Sequence, residues 1–277
     1  MLCGSASDFF ASKNGHTLYT CRACRLSFVD PVPDSTKVYG EDYFSGARKG
    51  FGYVDYDTDK EPMVPAFKKY LNLIERFSKG KRILDVGAAT GFFLRIAKDA
   101  GFDPYGVELS AYAAGRATEK GIPTITGTLS DVPATAPFDV ITMLDVIEHV
   151  SNPVAEITKA NELLQRGGLL VINTPDIGSL YARLMGPRWH LIVPPEHLFY
   201  FNRANIRTLL EQKCFEVLVV STVGKHFTLP YIFKTLYAWQ KLQVWRFLSA
   251  WCERSWLRRV ALPINLRDNM FIIARKI

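Results

Sequence analysis

Two sets of residues have the types and spacing to do chemistry, and a third has the types to bind metal. The first runs from Asp85, at the end of an apolar stretch, through Gly87 to Gly91, with Glu108 seventeen residues beyond Gly91. A glycine-bearing turn at the start of a helix lets a ligand approach backbone N–H groups, and an acid closing the next strand can accept both hydroxyls of a ribose. By itself such a turn is as often a plain strand-to-helix connection. Paired with Glu108 it points to a nucleoside. The Gly-x-x-x-Gly spacing lacks the dinucleotide fingerprint, and no Gly-Lys-Ser/Thr follows, so the expected ligand carries one nucleoside and no long phosphate. The second set is Asp145, Glu148 and His149, followed at a distance by Glu196 and His197. Carboxylates beside imidazoles suit proton transfer or orientation of a reacting group, although each histidine also has an ordinary structural reading. The third set is Cys3, Cys21 and Cys24, of which Cys21-Arg22-Ala23-Cys24 is half of a zinc knuckle.

The elements that would position these residues are legible as period. From about Lys81 to Glu216, short apolar runs alternate with helical stretches, the pattern of βα units on a parallel sheet. The expected strands are 82–86, 103–107, 124–126, 138–144, 169–173 and 215–221, with a last strand, 269–275, returning to the sheet edge. The expected helices are 91–100, 111–120, 153–164 and 203–212, with Gly167-Gly168 stopping the third. Asp145, Glu148 and His149 then follow the fourth strand directly, and Glu196 and His197 follow the fifth.

Composition narrows the class. The chain has 277 residues, 48% hydrophobic and 22% charged, which describes a folded α/β protein with a sizeable core. A net charge of +7 makes the surface attractive to anions without choosing among nucleic acid, phospholipid and phosphorylated substrates. Neither a secretory leader nor an apolar run of spanning length is read, so a cytoplasmic location is expected. Five cysteines, an odd number, argue against a disulfide framework.

Taken together, Ile83-Leu84-Asp85-Val86-Gly87, Thr90-Gly91, Gly106-Val107-Glu108, Gly127-Thr128-Leu129, Phe138 to Thr142, Asp145 to Val150 and Leu164-x-x-Gly167-Gly168 resemble the successive motifs of class I S-adenosylmethionine-dependent methyltransferases. The likeness is close to the branch related to ubiquinone-biosynthesis O-methyltransferases, which often carry a run like Arg188-Trp189-His190 through Pro194 to Phe201. It implies a doubly wound, mostly parallel, seven-stranded Rossmann-like sheet with a small N-terminal cap and a helical insertion before the last strand. It also implies S-adenosylmethionine as cofactor. Asp85 and Gly87, with Ala88 and Gly91, would face its methionine end, Glu108 and Leu109 the ribose, and Thr128 and Leu129 the adenine edge; Asp145 would border the cofactor. In the resembling enzymes an acid followed three positions later by Glu-His is implicated in divalent-cation binding. This extends to Asp145, Glu148 and His149, with Mg²⁺ as the expected ion. Asp145, His149 and His197 are the expected catalytic residues. The family commonly has glycine where this chain has Ala89, and the loop should still bind if Ala89 keeps a negative φ.

Three segments are expected: an N-terminal cysteine- and tyrosine-rich cap (1–60), the cofactor-binding core (61–226), and an aromatic, basic insertion with the final strand (227–277). Tyr39, Tyr43 and Tyr56 would form an aromatic lid or simply pack an arm on the sheet. Related methyltransferases, some acting on nucleotide sugars, carry an N-terminal four-cysteine zinc site. Here one ligand is missing, so His16 substitutes, the chain starts upstream, or the site has decayed. The segment 227–260 reads as helical and amphipathic. Its aromatics would pack on the sheet, cover an apolar acceptor, or touch a membrane peripherally. No nucleic-acid motif accompanies its charge, so nucleic acid is not the expected partner. The expected reaction is methyl transfer, preferably to oxygen, on a small-molecule, sugar- or lipid-linked acceptor. The alternatives are a noncatalytic protein with this fold and a nucleic-acid methyltransferase.

Overall fold

The computed structural model describes residues 3–33, 56–134 and 137–277, so the expectations for Tyr39 and Tyr43 lie outside the described residues. In chain order its strands are β1 (Ser7–Lys13), β2 (His16–Cys21), β3 (Ser27–Val29), β4 (Arg82–Val86), β5 (Asp103–Glu108), β6 (Thr124–Thr126), β7 (Phe138–Leu144), β8 (Leu164–Pro175), β9 (Phe199–Tyr200), β10 (Phe215–Ser221), β11 (Lys225–Thr228), β12 (Ala261–Ile264) and β13 (Asn269–Lys276).

Seven of these form the central sheet in the order β10-β13-β8-β7-β4-β5-β6. The β4–β5, β4–β7, β5–β6 and β7–β8 pairs are parallel. Only β13 runs against its neighbours β8 and β10. The strands are apolar on both faces because helices cover both. Successive side chains alternate sides: Leu84, Ile141, Leu170 and Ile172 join one core with the helices Pro153–Leu163 and Arg203–Gln212. Ile83, Val140, Leu169 and Val171 join the other with Val64–Glu75 and Phe92–Asp99. This is the doubly wound α/β fold expected from the sequence.

The boundary before the fifth strand differs. The helix ends at Leu163, and Leu164 already pairs with Phe138. Gly167, at φ +79°, lies inside β8 where the β7–β8 register shifts, so Gly167-Gly168 shapes a bulge instead of stopping a helix.

β1, β2 and β3 form an antiparallel sheet that acquires its fourth strand, β9, from late in the chain, with Ser27 opposite Tyr200 and Phe28 opposite Phe199. Leu18, Val29, Trp189, Ile192 and Tyr200 pack beneath it. The segment after β10 begins as a strand, so Phe227 and Thr228 are extended, not helical. β11 pairs with β12, and between them stand the helices Leu229–Gln240 and Gln243–Glu253. No helix among the described residues is long and apolar enough to cross a membrane.

Candidate functional site

The carboxyl ends of the parallel strands carry two clusters. At the first, Asp85, next to last in β4, is 4% exposed; Glu108 ends β5 and is 6% exposed. The loop between β4 and the helix Phe92–Asp99 is tied to β5 by the Gly87 and Ala88 N–H groups, which donate to the Val107 carbonyl at 2.8 and 3.1 Å. Glu108 accepts from the Ala89 N–H at 2.8 Å and from the Ser110 N–H at 2.9 Å. The Thr142 hydroxyl, on the neighbouring β7, donates to Asp85 Oδ1 at 2.5 Å. Burial raises the Glu108 pKa. It pushes Asp85 up to about 7, helped by the Glu108 charge and opposed by the Thr142 hydrogen bond. Among the described residues, none of the causes that shift either group is a cation.

The glycines of this loop serve the backbone. Gly87 has φ +70°, and a Cβ there would lie 2.8 Å from Val146 Cγ2, in the loop after β7. At Gly91, φ +76°, it would lie 3.0 Å from Ala117 Cβ. Packing and left-handed backbone therefore require glycine where ligand contact was the expected reason. Ala89 has φ +47°, contrary to the negative φ on which undisturbed binding was conditional. It is a buried alanine in a conformation that costs an L-residue about 1 kcal/mol, held there by the bond from its N–H to Glu108.

Further along the edge, Thr128 donates from its N–H (2.7 Å) and hydroxyl (2.8 Å) to Asp131, which closes a one-turn cap. Leu129 is buried in the core with Val107 and Val132, so it offers a ligand its backbone and not its side chain. Leu109 is exposed. Tyr56 packs on Ala89 and Ala113. Asp57, one residue on, accepts from the Thr90 hydroxyl and the Lys120 ammonium, and Lys120 also donates to the Thr90 carbonyl at 2.9 Å. The helix Tyr56–Lys60 is thus fastened against the glycine loop.

The second cluster lies beyond β7 and β8. Glu148, His149 and His197 bring one ligand atom each to within 4.8 Å of one another. Thr174, at the end of β8, donates its hydroxyl to Glu148 Oε2 at 2.9 Å, and His149 Nε2 is 3.9 Å from Glu148 Oε1. The imidazoles meet edge to face at 4.7 Å between centroids. Each has Nδ1 2.8 Å from a backbone carbonyl, Glu196 for His149 and Leu191 for His197. A carbonyl can only accept, so Nδ1 carries the proton and the neutral ring's lone pair sits on Nε2. Burial pushes the His149 pKa down to about 4, against the Glu196 carbonyl and Asp145, which raise it.

Asp145 is not a member of this trio. At φ +57° its carboxylate accepts from Asn173 Nδ2 at 2.5 Å. Of the expected set of Asp145, Glu148 and His149, the last two converge with His197, while Asp145 acts on His149 through its charge. The Glu148 carbonyl accepts from the N–H groups of Leu198 (2.8 Å) and Phe199 (3.1 Å), which explains how a histidine from a distant loop reaches it.

The family of the methyltransferase domain matches residues 63–220. The chain belongs to that family. It is a class I S-adenosylmethionine-dependent methyltransferase with the sheet order and helical layers described above. A ubiquinone biosynthesis O-methyltransferase of Paraburkholderia xenovorans is 27% identical over 54% of this chain and 73% of its own length. A namesake from Cereibacter sphaeroides is 31% identical over 40% of this chain and 49% of its own. The chain thus spans between about half and three quarters of these relatives. Among solved structures, magnesium protoporphyrin IX methyltransferase from Synechocystis with bound S-adenosylhomocysteine covers 88% of this chain and all of its own at a TM-score of 0.56 and 15% identity, a likeness of fold.

The first cluster of this methyltransferase fits the family's cofactor on its own electrostatics. Two buried carboxylates with no cation beside them among the described residues are an unfavourable arrangement that a positively charged ligand would relieve. S-adenosylmethionine brings a sulfonium and an ammonium.

In the N-terminal sheet, Cys3, Cys21 and Cys24 converge, with the Cys3 and Cys21 sulfurs 3.4 Å apart. Hydrogen bonding to Ser5 lowers the Cys3 thiol to about 6, whereas burial raises Cys24 to about 11. His16 is not the fourth ligand: it pairs with Lys13 at the turn end of β1–β2, five residues along the strand from Cys21, or about 17 Å.

Sequence reasoning missed Thr142, Asn173 and Thr174. Each is a buried polar residue within a strand otherwise apolar at its centre, and that interruption was the available signal.

Proposed function

We propose that this methyltransferase transfers a methyl group to an oxygen of a small-molecule, sugar- or lipid-linked acceptor, with the acceptor oxygen held at the Glu148–His149–His197 cluster. The cofactor, when bound, supplies an electrophilic methyl group on sulfur. Asp85 and Glu108 hold its positive and hydroxyl groups, Gly87, Ala88 and Gly91 shape the floor beneath it, and Leu109, Thr128 and Leu129 border its base. Asp145, fixed by Asn173, stands between the two clusters along the chain and orients the cofactor side.

The observation that carries the oxygen assignment is the paired tautomer of the histidines. With Nδ1 protonated against carbonyls, Nε2 of His149 or His197 is the atom that receives a proton from an acceptor hydroxyl, and Glu148 stabilises the resulting imidazolium. Alignment of acceptor and methyl donor and exclusion of water supply the rest. The test is transfer of labelled methyl from the cofactor into a cell extract and identification of the product. A labelled ether or ester supports the reading; a labelled amine or carbon contradicts it.

A divalent cation at this cluster is a second reading, supported by three convergent ligand atoms. One carboxylate and two imidazoles form a nitrogen-rich set that suits Zn²⁺, Mn²⁺ or Fe²⁺ better than the Mg²⁺ expected from the resemblance. Metal analysis of the purified enzyme, and activity after chelation, decide between base and metal. For Cys3, Cys21 and Cys24 we propose structural Zn²⁺ with a fourth ligand beyond this trio. Its loss in a Cys21→Ser variant is the expected result.

A further inference from the structure

We propose that the helical pair 229–253 is a docking surface for an anionic phospholipid bilayer. Residues 227–260 hold six lysines and arginines and a single acid, Glu253, so 34 residues account for five of the chain's seven units of net positive charge. Glu253 is moreover paired with Lys234 at 2.7 Å. The two helices pack on each other: Phe233 stacks on Trp245, Ser249 donates to the Pro230 carbonyl at 3.3 Å, and Ser249 and Cys252 are buried between them.

The opposite face of Gln243–Glu253 is apolar and uncovered. Val244, Phe247 and Trp251, spaced i, i+3 and i+7, form one stripe, with Phe247 71% exposed. Leu242 precedes it and Trp256, 77% exposed, extends it. Lys241, Arg246, Arg254 and Arg258 are exposed around them. Aromatic rings interleaved with arginines match the boundary between headgroups and acyl chains, where rings enter the apolar layer and guanidinium groups meet phosphate. A second copy of this chain would bring the same positive charge against it. Nucleic acid would answer the charge but leave the apolar stripe in water.

The position of this surface suits the function. The insertion leaves the carboxyl end of β10, the same edge as both clusters, and β11 packs against the turn Glu61–Met63 that follows the helix fastened to the glycine loop. A bilayer held there lies on the side of the sheet edge that carries the glycine loop. Docking stands whether or not the acceptor is lipid-linked.

The test is cosedimentation of the full chain with vesicles of equimolar phosphatidylglycerol and phosphatidylcholine, and with phosphatidylcholine alone. The expected result is binding to the anionic vesicles at least ~10-fold tighter than to the neutral ones, reduced by salt. F247S/W251S and R246E/R254E should each weaken it about tenfold or more while leaving cofactor affinity, measured by calorimetry, unchanged. These side chains are exposed, so the variants should fold, and the calorimetry verifies it. Equal partition to both vesicle types, absence of binding, or full binding by either variant overturns the proposal. So does self-association or RNA retention through the same residues without vesicle binding.

Discussion

The two clusters at the carboxyl edge of the sheet answer burial in opposite ways. Around β4 and β5, two carboxylates are buried with hydrogen-bond donors and, among the described residues, no cation, and burial raises Asp85 to about 7. Around β7 and β8, Glu148 is buried with a hydroxyl donor and two imidazoles, and His149 is driven toward neutrality. On the proposed reading, the first arrangement is completed by a positive ligand. The second is supplied from within the chain and suits a group whose proton must leave. The proposed function divides the shared edge between cofactor binding and acceptor chemistry, and Val146, filling the space over Gly87, is where the two loops meet.

The separation can be broken most decisively at the second cluster. His149→Ala is expected to lower kcat about 10²- to 10³-fold with cofactor affinity within twofold; a loss of cofactor affinity with kcat intact would merge the clusters. At the first, Glu108→Ala should weaken cofactor binding about 100-fold by calorimetry, since charge-assisted bonds to two hydroxyls are lost, whereas Glu108→Gln should weaken it less.

The next effect is on stability. Asp85 has a folded pKa raised above its unfolded value, so between about 4 and 7 the folded state binds more protons than the unfolded one. The ligand-free protein should therefore gain stability as pH falls from about 7 toward 4, with a slope contribution of up to about 1.4 kcal/mol per pH unit. Denaturant melts of Asp85→Asn should lack that contribution; an unchanged slope would place the buried charge elsewhere. The smallest effect is at Ala89. Relief of its positive φ in Ala89→Gly should raise stability by about 0.5–1 kcal/mol, seen as a few degrees in Tm. A lower Tm would mean that the alanine methyl contributes more packing than strain.

The same contrast explains what the sequence revealed. Strands buried on both faces, such as Val140 to Met143, are apolar runs bounded by turn residues, and except for β8 their expected limits agree with the structure closely. Glu108 was legible because one strand and one helix separate it from the glycine loop. The partnership of His197 with Glu148 was not, because it depends on backbone bonds from Leu198 and Phe199 to a residue some fifty positions earlier. β9, two residues long, has no periodicity to find and exists through its pairing with β3. The φ of Ala89 is likewise dictated by a tertiary bond, to Glu108, and alanine itself signals nothing of it.

Calorimetric titration of the wild-type protein with S-adenosylmethionine across pH 5.5 to 8 tests the central claim most directly. If the buried pair is completed by a cation, binding should expel the proton held by Asp85, so affinity should fall as pH drops below about 7, and Asp85→Asn should bind weakly with no such dependence. Affinity independent of pH in the wild type, or equal in wild type and variant, would contradict the account.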